Sequence, residues 1–173
     1  MAAILAEYGQ LRDTDTLRVL KAGSLSKAQK EGALELLTLI KKKRCGKIKG
    51  RVCANGRKQR KYIRKEDVSS PTVRLESILA TLAVDAKEKR VVATADVAGA
   101  YLQTVMTDFV IVKLSGPSVK IMCDVMPSFK PKVSIEKGKE VLYMRLHKAL
   151  YGCVQVQDLC WETKTNGVYT QQV

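Results

Sequence analysis

The sequence has few residues of the types that build disulfide frameworks and metal sites. One histidine is present, and the five cysteines are scattered without a Cys-x-x-Cys pair. A zinc site and a cysteine-linked scaffold are therefore not supported. No apolar run approaches the roughly 20 residues that span a bilayer, and the amino terminus lacks a signal-peptide pattern. We expect a soluble intracellular protein in a reducing setting, cytoplasmic or associated with a particle, with no membrane contact.

Basic residues, by contrast, are abundant. The 173 residues include 31 Lys and Arg against 17 Asp and Glu, so the net charge is +14. This excess is typical of proteins that bind phosphate groups, which makes RNA or DNA the first candidate partner. A ribosomal or other basic protein held in an acidic assembly fits the charge equally well. The apolar content of 46% indicates a globular chain of one or two small subdomains.

The first third of the chain predicts a helix followed by a basic segment. Ser26 and Gln29 have the spacing of a capping box, which marks the start of a helix. One face of that helix would carry Ala33, Leu36, Leu37 and Ile40. Residues 46–64 are then dense in lysine and arginine. Such a run is more often a solvated surface or a flexible arm than a specific site.

A second helix is predicted after the basic segment. Ser70 would be its cap and Pro71 would occupy its first position. Apolar residues recur at helical spacing, so one face of this helix should pack on a core. These residues are Leu75, Ile78, Leu79, Leu82, Ala83 and Ala86.

The rest of the chain predicts strands, so the expected fold class is α+β. Residues 91–97 are rich in β-branched side chains and predict a buried strand that ends at Asp96. A turn is expected at residues 136–139. The other predicted strands cover residues 109–114, 119–125 and 141–146.

Asp96 is the first residue with a possible chemical role. An acid at a strand end, followed by small residues, leaves room for a ligand near the backbone. A carboxylate there suits Mg²⁺, which prefers carboxylate and phosphate oxygens. Without further context, however, a lone aspartate after a strand is more often a helix cap or a turn former.

Four sequence blocks together resemble copia-type retrotransposon reverse transcriptases. They occur in the order and approximate spacing of that family and are Lys49–Gly56, Ser69–Arg74, Asp96–Leu102 and Leu150–Gly152. The resemblance covers about residues 45–155. It implies the amino-terminal part of an RNA-directed DNA polymerase from a Pol polyprotein, comprising the fingers and the start of the palm.

The resemblance implies roles for individual residues. Asp96 matches the first catalytic aspartate, which binds both Mg²⁺ ions, and Val97 matches the residue whose carbonyl faces a metal. Tyr101 matches the aromatic residue beneath the incoming sugar, although outside this motif it would be interpreted as an ordinary buried aromatic. Lys49 and Arg51 resemble the residues that approach the triphosphate of a dNTP, a role that suits the arginine fork.

The last block and the basic segment would also contact substrates. Tyr151 and Gly152 match residues that line the nucleotide pocket. The basic segment would attract phosphates of an RNA or DNA template-primer, and its binding should depend strongly on salt. Its residues are Arg57, Lys58, Arg60, Lys61 and Arg64; each one taken alone is more simply a solvated surface charge.

The chain also departs from the family pattern. The family completes its metal site with a Tyr-x-Asp-Asp hairpin, and this sequence contains no Asp-Asp pair. Beyond Gln155 the family's helix pattern is lost, because Trp161 lies one residue later than expected, which suggests a frameshift or misjoined reading frame. We therefore expect a chain that is inactive alone, with exposed apolar surface where packing partners are missing.

The expected organisation has three parts. Residues 1–44 would form a helical segment, residues 45–155 a partial reverse transcriptase domain, and residues 156–173 a divergent, poorly ordered tail. An alternative function is a basic nucleic-acid-binding module without catalysis. A third interpretation is the unfolded product of a decayed element.

Overall fold

The structure of the protein, a computed structural model, describes residues 1–61, 73–93 and 99–154. These residues contain five α-helices and six strands. In chain order they are α1 (Ala2–Asp13), β1 (Leu17–Leu20), α2 (Lys27–Gly32), β2 (Leu34–Lys42), β3 (Ile48–Ala54), α3 (Leu75–Lys87), α4 (Ala100–Gln103), β4 (Ile111–Ser115), α5 (Ser118–Val125), β5 (Ser134–Glu136) and β6 (Lys139–Leu146).

The strands of the described part form one mixed sheet. Their order is β1-β6-β4-β2-β3, and β5 pairs with β6 in addition. All pairs are antiparallel except β2 with β4, which run parallel where Leu34 lies opposite Val112. This sheet with its helices confirms the predicted α+β class. Among the described strands, β3 lies at an edge of the sheet, and the candidate site lies beside it.

The main core lies between one face of the sheet and the helices α1 and α5. Tyr8 of α1 and Met122 of α5 are fully buried against Val112 and Leu142 of the central strands. Burial of each such side chain contributes on the order of 1.5–3 kcal/mol. A smaller cluster, which includes Ile111 and Tyr143, lies on the other face. Helix α1 is therefore an integral part of the fold.

The predicted helix over Ala33–Ile40 is wrong. The capping box at Ser26 and Gln29 is present, but the helix that it starts, α2, ends at Gly32. Residues 34–42 form β2 instead, with Leu34 and Leu36 buried and the residue between them exposed. Because β2 pairs with both β3 and β4, the sheet hydrogen bonds outweigh the local helical spacing. Strands from both sides of residue 44 thus share one sheet, and the three-part organisation stays a prediction.

Residues 119–125 were expected to be a strand and are helical. Val119, Met122 and Cys123 of α5 are buried, at the spacing of one helical face. A short apolar run fits either period, and here helical packing against α1 and the sheet decides the outcome. The other strand predictions for this region are confirmed: β4 begins two residues later and ends one residue later than predicted, and β6 covers residues 141–146. The turn at residues 136–139 is also confirmed.

Helix α3 is present but differs from its prediction in its start and its packing. It begins at Leu75, after Arg74 as cap, and the predicted cap residues 70 and 71 lie outside the described residues. The expectation that one face packs on a core is wrong, since no residue of α3 is buried in the described part. Leu75 is 65% exposed and Leu79 is 57% exposed. The expected exposed apolar surface is confirmed here.

The predicted buried strand over residues 91–97 is not supported where it is described. Residues 91–93 have no strand conformation, and Val91 is 98% exposed. Residues 94–97 lie outside the described residues, as does the tail after residue 154. None of the helices that the structure describes combines the length and apolar character that a membrane crossing requires.

Candidate functional site

Three separate sequence blocks meet beside the edge strand β3. Lys49 and Arg51 project from β3, Gly99 precedes α4, and Tyr151 lies in the loop after β6; together they line a cleft of about 130 Å³. Helix α1 forms a further wall with Glu7 and Gln10. The fold therefore brings residues that are far apart in sequence, such as Glu7 and Tyr151, into one small polar cleft.

Arg51 lies beside a pair of tyrosines whose rings are in edge-to-face contact. The rings of Tyr101 and Tyr151 pack edge to face with centroids 4.7 Å apart. The guanidinium carbon of Arg51 lies 5.5 Å from the centroid of the Tyr151 ring. Such contacts contribute roughly 0.5–1 kcal/mol each at partly exposed positions. The Tyr151 ring therefore contacts the guanidinium without using its N–H donors.

The charges of Arg51 and Lys49 have no carboxylate partner within salt-bridge distance in the described part of the chain. Glu7 and Arg51 both act electrostatically on the half-buried thiol of Cys53. Burial raises the pKa of Cys53, the Arg51 charge lowers it and the Glu7 charge raises it. The cleft thus combines two available cations with one nearby carboxylate, an arrangement that attracts a small anion.

The loop that carries Tyr151 is fixed to the end of β3. The backbone N–H of Ala54 donates to the carbonyl of Tyr151 at 2.7 Å. Gly152 has a φ of +90°, and an added Cβ would collide with the carbonyl oxygen of Ala54. Only glycine accepts both this conformation and this close approach. Gly152 therefore sets the position of Tyr151 through the backbone.

Gln59 is a second anchor of the same loop, and sequence reasoning missed it. Its side chain is 1% exposed, and its Oε1 accepts a hydrogen bond from the backbone N–H of Val154 at 3.0 Å. A single polar residue within a basic segment gives no periodic signal for burial. Only its position just after the first family-like block, which ends at Gly56, would have suggested a shared role.

A basic groove continues from the cleft along the β2–β3 hairpin. Lys41 lies opposite Lys49 in the strand register, so both side chains are on the same face. Together with Lys43 and Arg51 they line a groove of about 430 Å³. Lys49 and Arg51 line both the cleft and the groove, which makes the two surfaces continuous.

The basic residues after β3 lie on a 3-10 turn, Gly56–Lys61. Arg57 and Arg60 are exposed there. Lys58 instead donates from its Nζ to the carbonyls of Glu31 and Ala33, at 2.5 and 2.9 Å, and so holds the end of α2. The side chains of residues 61 and 64 lie outside the described residues. Their predicted contacts with nucleic acid stay predictions.

A second, larger cleft lies beside α2. It has a volume of about 680 Å³ and is bordered by α2 and the 3-10 turn. Lys113 forms its floor and pairs with Glu136 at 2.8 Å, while Lys27 and Arg57 line its walls. This cleft mixes basic and acidic side chains, with Glu31 and Glu35 among them.

The predicted metal ligands Asp96 and Val97 lie outside the described residues. Within residues 1–61, 73–93 and 99–154, no three His, Cys, Asp or Glu side chains are grouped to hold a metal ion. Gly99, three residues after Asp96, has a φ of +61° and caps α4, which carries Tyr101. The metal role of Asp96 therefore stays a prediction.

Comparison with known protein families gives a match. The model described as reverse transcriptase (RNA-dependent DNA polymerase) matches residues 24–172, most of the chain. No curated protein and no solved structure matches. The matched range contains Lys49, Arg51 and Tyr151 but leaves out α1, which forms one wall of the cleft.

Proposed function

Because the chain belongs to the copia-type reverse transcriptase family, we propose that it provides the phosphate-binding fingers of an RNA-directed DNA polymerase. The family implies a template-primer as partner and Mg²⁺ in the intact enzyme. The observation that supports this proposal is the meeting of Lys49, Arg51 and Tyr151, which come from blocks about 100 residues apart in sequence.

Phosphate recognition follows from the chemistry of the cleft. A guanidinium fork binds phosphate oxygens through two parallel hydrogen bonds, and the stack with Tyr151 holds it in a fixed orientation. Lys49 adds a second positive charge. The adjoining groove offers Lys41 and Lys43 to the backbone of a nucleic-acid strand.

Calorimetric titration with inorganic pyrophosphate tests the phosphate-binding role. A hydrogen bond to a charged group contributes about 1.5–3 kcal/mol, so Arg51→Ala should weaken binding at least about tenfold, since roughly 1.4 kcal/mol corresponds to a factor of ten. Lys120→Ala removes one exposed charge from α5, away from the cleft, and serves as the control. Equal losses in the two variants would show that binding reflects net charge alone.

Catalysis is a separate part of the proposal. Two-metal nucleotidyl transfer in this family uses three carboxylates, and the sequence offers Asp96 but no Asp-Asp pair. We expect these 173 residues alone to give no primer extension with Mg²⁺ and dNTPs. Robust extension that Asp96→Ala abolishes would contradict this expectation.

The alternative function is nucleic-acid binding without a polymerase role, through the basic 3-10 turn. The large cleft beside Arg57 favours it, because its lining carries five Lys or Arg against three Glu. Replacement of Arg57 and Arg60 by alanine should then abolish binding of a labelled single strand, whereas Arg51→Ala leaves it unchanged. Lys58 is unsuitable for this test because its ammonium group holds α2.

A further inference from the structure

Gln59 is a buried neutral side chain within a turn that is rich in basic residues. Its neighbours Arg57, Lys58 and Arg60 are exposed, whereas Gln59 is 1% exposed. Burial of an amide is unfavourable unless a hydrogen bond replaces those lost to water. Here the Oε1 atom accepts a hydrogen bond of 3.0 Å from the backbone N–H of Val154, 95 residues further along the chain. This side chain therefore ties the basic 3-10 turn to the loop after β6.

The loop that Gln59 holds is itself a tight turn. The backbone N–H of Cys153 donates to the carbonyl of Leu150 at 3.2 Å, which places Tyr151 and Gly152 at the centre of a four-residue turn. Leu150 is 1% exposed in the main core, and Val154 directly follows the turn. Because the turn is closed by its own hydrogen bond, a displacement of Val154 shifts the Tyr151 backbone as well.

The backbone of this turn lies directly against the 3-10 turn. An added Cβ on Gly56 would collide with the carbonyl oxygen of Gly152, and it would lie 3.2 Å from Oε1 of Gln59. Gly56 therefore lets the two backbone segments and the Gln59 amide pack side by side. The contacts of Gly56 with Gly152 and of Ala54 with Tyr151 involve main-chain atoms. The Gln59 contact involves a side chain, so a substitution removes it without imposing a new backbone conformation.

The Tyr151 ring is the common neighbour of Arg51 and Tyr101. Its centroid lies 5.5 Å from the guanidinium carbon of Arg51 and 4.7 Å from the centroid of the Tyr101 ring. Contacts of this kind depend on the separation and the relative orientation of the two groups. A displaced turn therefore changes the surroundings of the guanidinium that the proposed function assigns to phosphate. Gln59 itself is not among the residues that line this cleft.

We infer that Gln59 is a positioning residue of the phosphate site. Its bond to the Val154 N–H holds the Tyr151 ring against Arg51, and the affinity for phosphate depends on this contact. The inference rests on the proposed phosphate-binding role of Arg51. It assigns to one member of the basic segment a role in the geometry of the site rather than in contact with nucleic acid.

Calorimetric titration with inorganic pyrophosphate tests the inference. Gln59→Met removes the accepting oxygen but preserves the approximate size of the side chain. It should weaken binding about two- to fivefold, the equivalent of one exposed cation–π contact. Val119→Ala is the control, because it removes buried apolar groups from α5, where Val119 is 1% exposed. It should lower the Tm and leave the affinity unchanged.

A double-mutant cycle shows whether Gln59 acts through the Tyr151 ring. Tyr151→Leu removes the ring, so Gln59→Met in that background should cause no further loss of affinity. In the free protein, Gln59→Met should also shift the nuclear magnetic resonance signals of the Tyr101 ring, which packs against Tyr151. Val119→Ala should leave those signals in place.

The outcomes separate this inference from the function on which it rests. Wild-type affinity in Gln59→Met, an equal loss in both backgrounds, or an equal loss in Val119→Ala overturns the inference. Gln59→Asn, which withdraws the amide by one methylene, replaces Gln59→Met in the cycle if circular dichroism shows that Gln59→Met does not fold. Absence of pyrophosphate binding by the wild type, or binding insensitive to Arg51→Ala, contradicts the phosphate-binding function itself.

Discussion

Replacement of Gly152 by alanine is the sharpest test of how the loop after β6 is held. The substitution adds one methyl group at a residue with a φ of +90°. That methyl would collide with the carbonyl oxygen of Ala54, so the loop has to move away from β3. The movement breaks the hydrogen bond of 2.7 Å from the Ala54 N–H to the Tyr151 carbonyl.

The size of the effect follows from these two contributions. A left-handed backbone costs a non-glycine residue about 1–2 kcal/mol, and the lost hydrogen bond costs about 1 kcal/mol. The sum of roughly 2–3 kcal/mol corresponds to a fall in Tm of about 4–12 °C for a chain of this size. Affinity for pyrophosphate should fall too, because the Tyr151 ring moves away from Arg51.

Thermal unfolding followed by circular dichroism measures the first effect, and calorimetry measures the second. Gly138→Ala is the matched control, since Gly138 has a φ of +73° and nothing within 4 Å of an added Cβ. It should show the backbone cost of about 1–2 kcal/mol and unchanged binding. If the two variants lose equal stability and neither loses affinity, the loop is not held as described.

Two further predictions concern ionisable groups. Hydrogen bonding to Lys113 lowers the pKa of Glu136 in the folded protein. This carboxylate therefore stabilises the fold above about pH 4.3, the ordinary pKa of a glutamate. The stabilisation is lost as the pH falls through the lowered pKa of the folded state. Urea unfolding should show that Glu136→Gln loses less stability in acid than the wild type. Identical pH profiles of stability for the two proteins would contradict the Lys113–Glu136 pairing. Burial raises the pKa of the Cys153 thiol to about 12, so iodoacetamide at pH 8 should alkylate the exposed Cys45 long before Cys153. Peptide mass spectrometry follows the two reactions, and similar alkylation rates for Cys45 and Cys153 would contradict the burial of Cys153.

Much of the sheet could be predicted from local pattern. Residues 141–144 form a continuous apolar run that suits a strand buried on both faces, and β6 has such burial, with Leu142 and Met144 on one side and Tyr143 on the other. The capping box at Ser26 was also a reliable local signal, since its two hydrogen bonds involve residues only three positions apart.

The failed predictions share a physical cause. Residues 33–40 and 119–125 are short apolar runs whose spacing fits a helix or a strand. Partners distant in sequence decided between these states: β3 and β4 made the first a strand, whereas α1 and the sheet made the second a helix. Local spacing contains no information about those partners.

The candidate site was predictable only in part. The resemblance selected Lys49, Arg51 and Tyr151, which lie together in the structure. It offered no reason to choose Glu7, because α1 precedes the family match. The anchoring role of Gln59 likewise depends on a backbone N–H about 95 residues further along the chain.

The most direct test of the central claim is a nuclear magnetic resonance titration of the tyrosine ring signals with pyrophosphate. The tyrosines in question are Tyr151, which lies beside Arg51 in the small cleft, and Tyr143, which forms part of the large cleft beside α2. Tyr151→Phe and Tyr143→Phe assign the two signals. The account predicts a saturable shift of the Tyr151 signal that Arg51→Ala removes. A shift confined to Tyr143, or a Tyr151 shift that persists in Arg51→Ala, would contradict it.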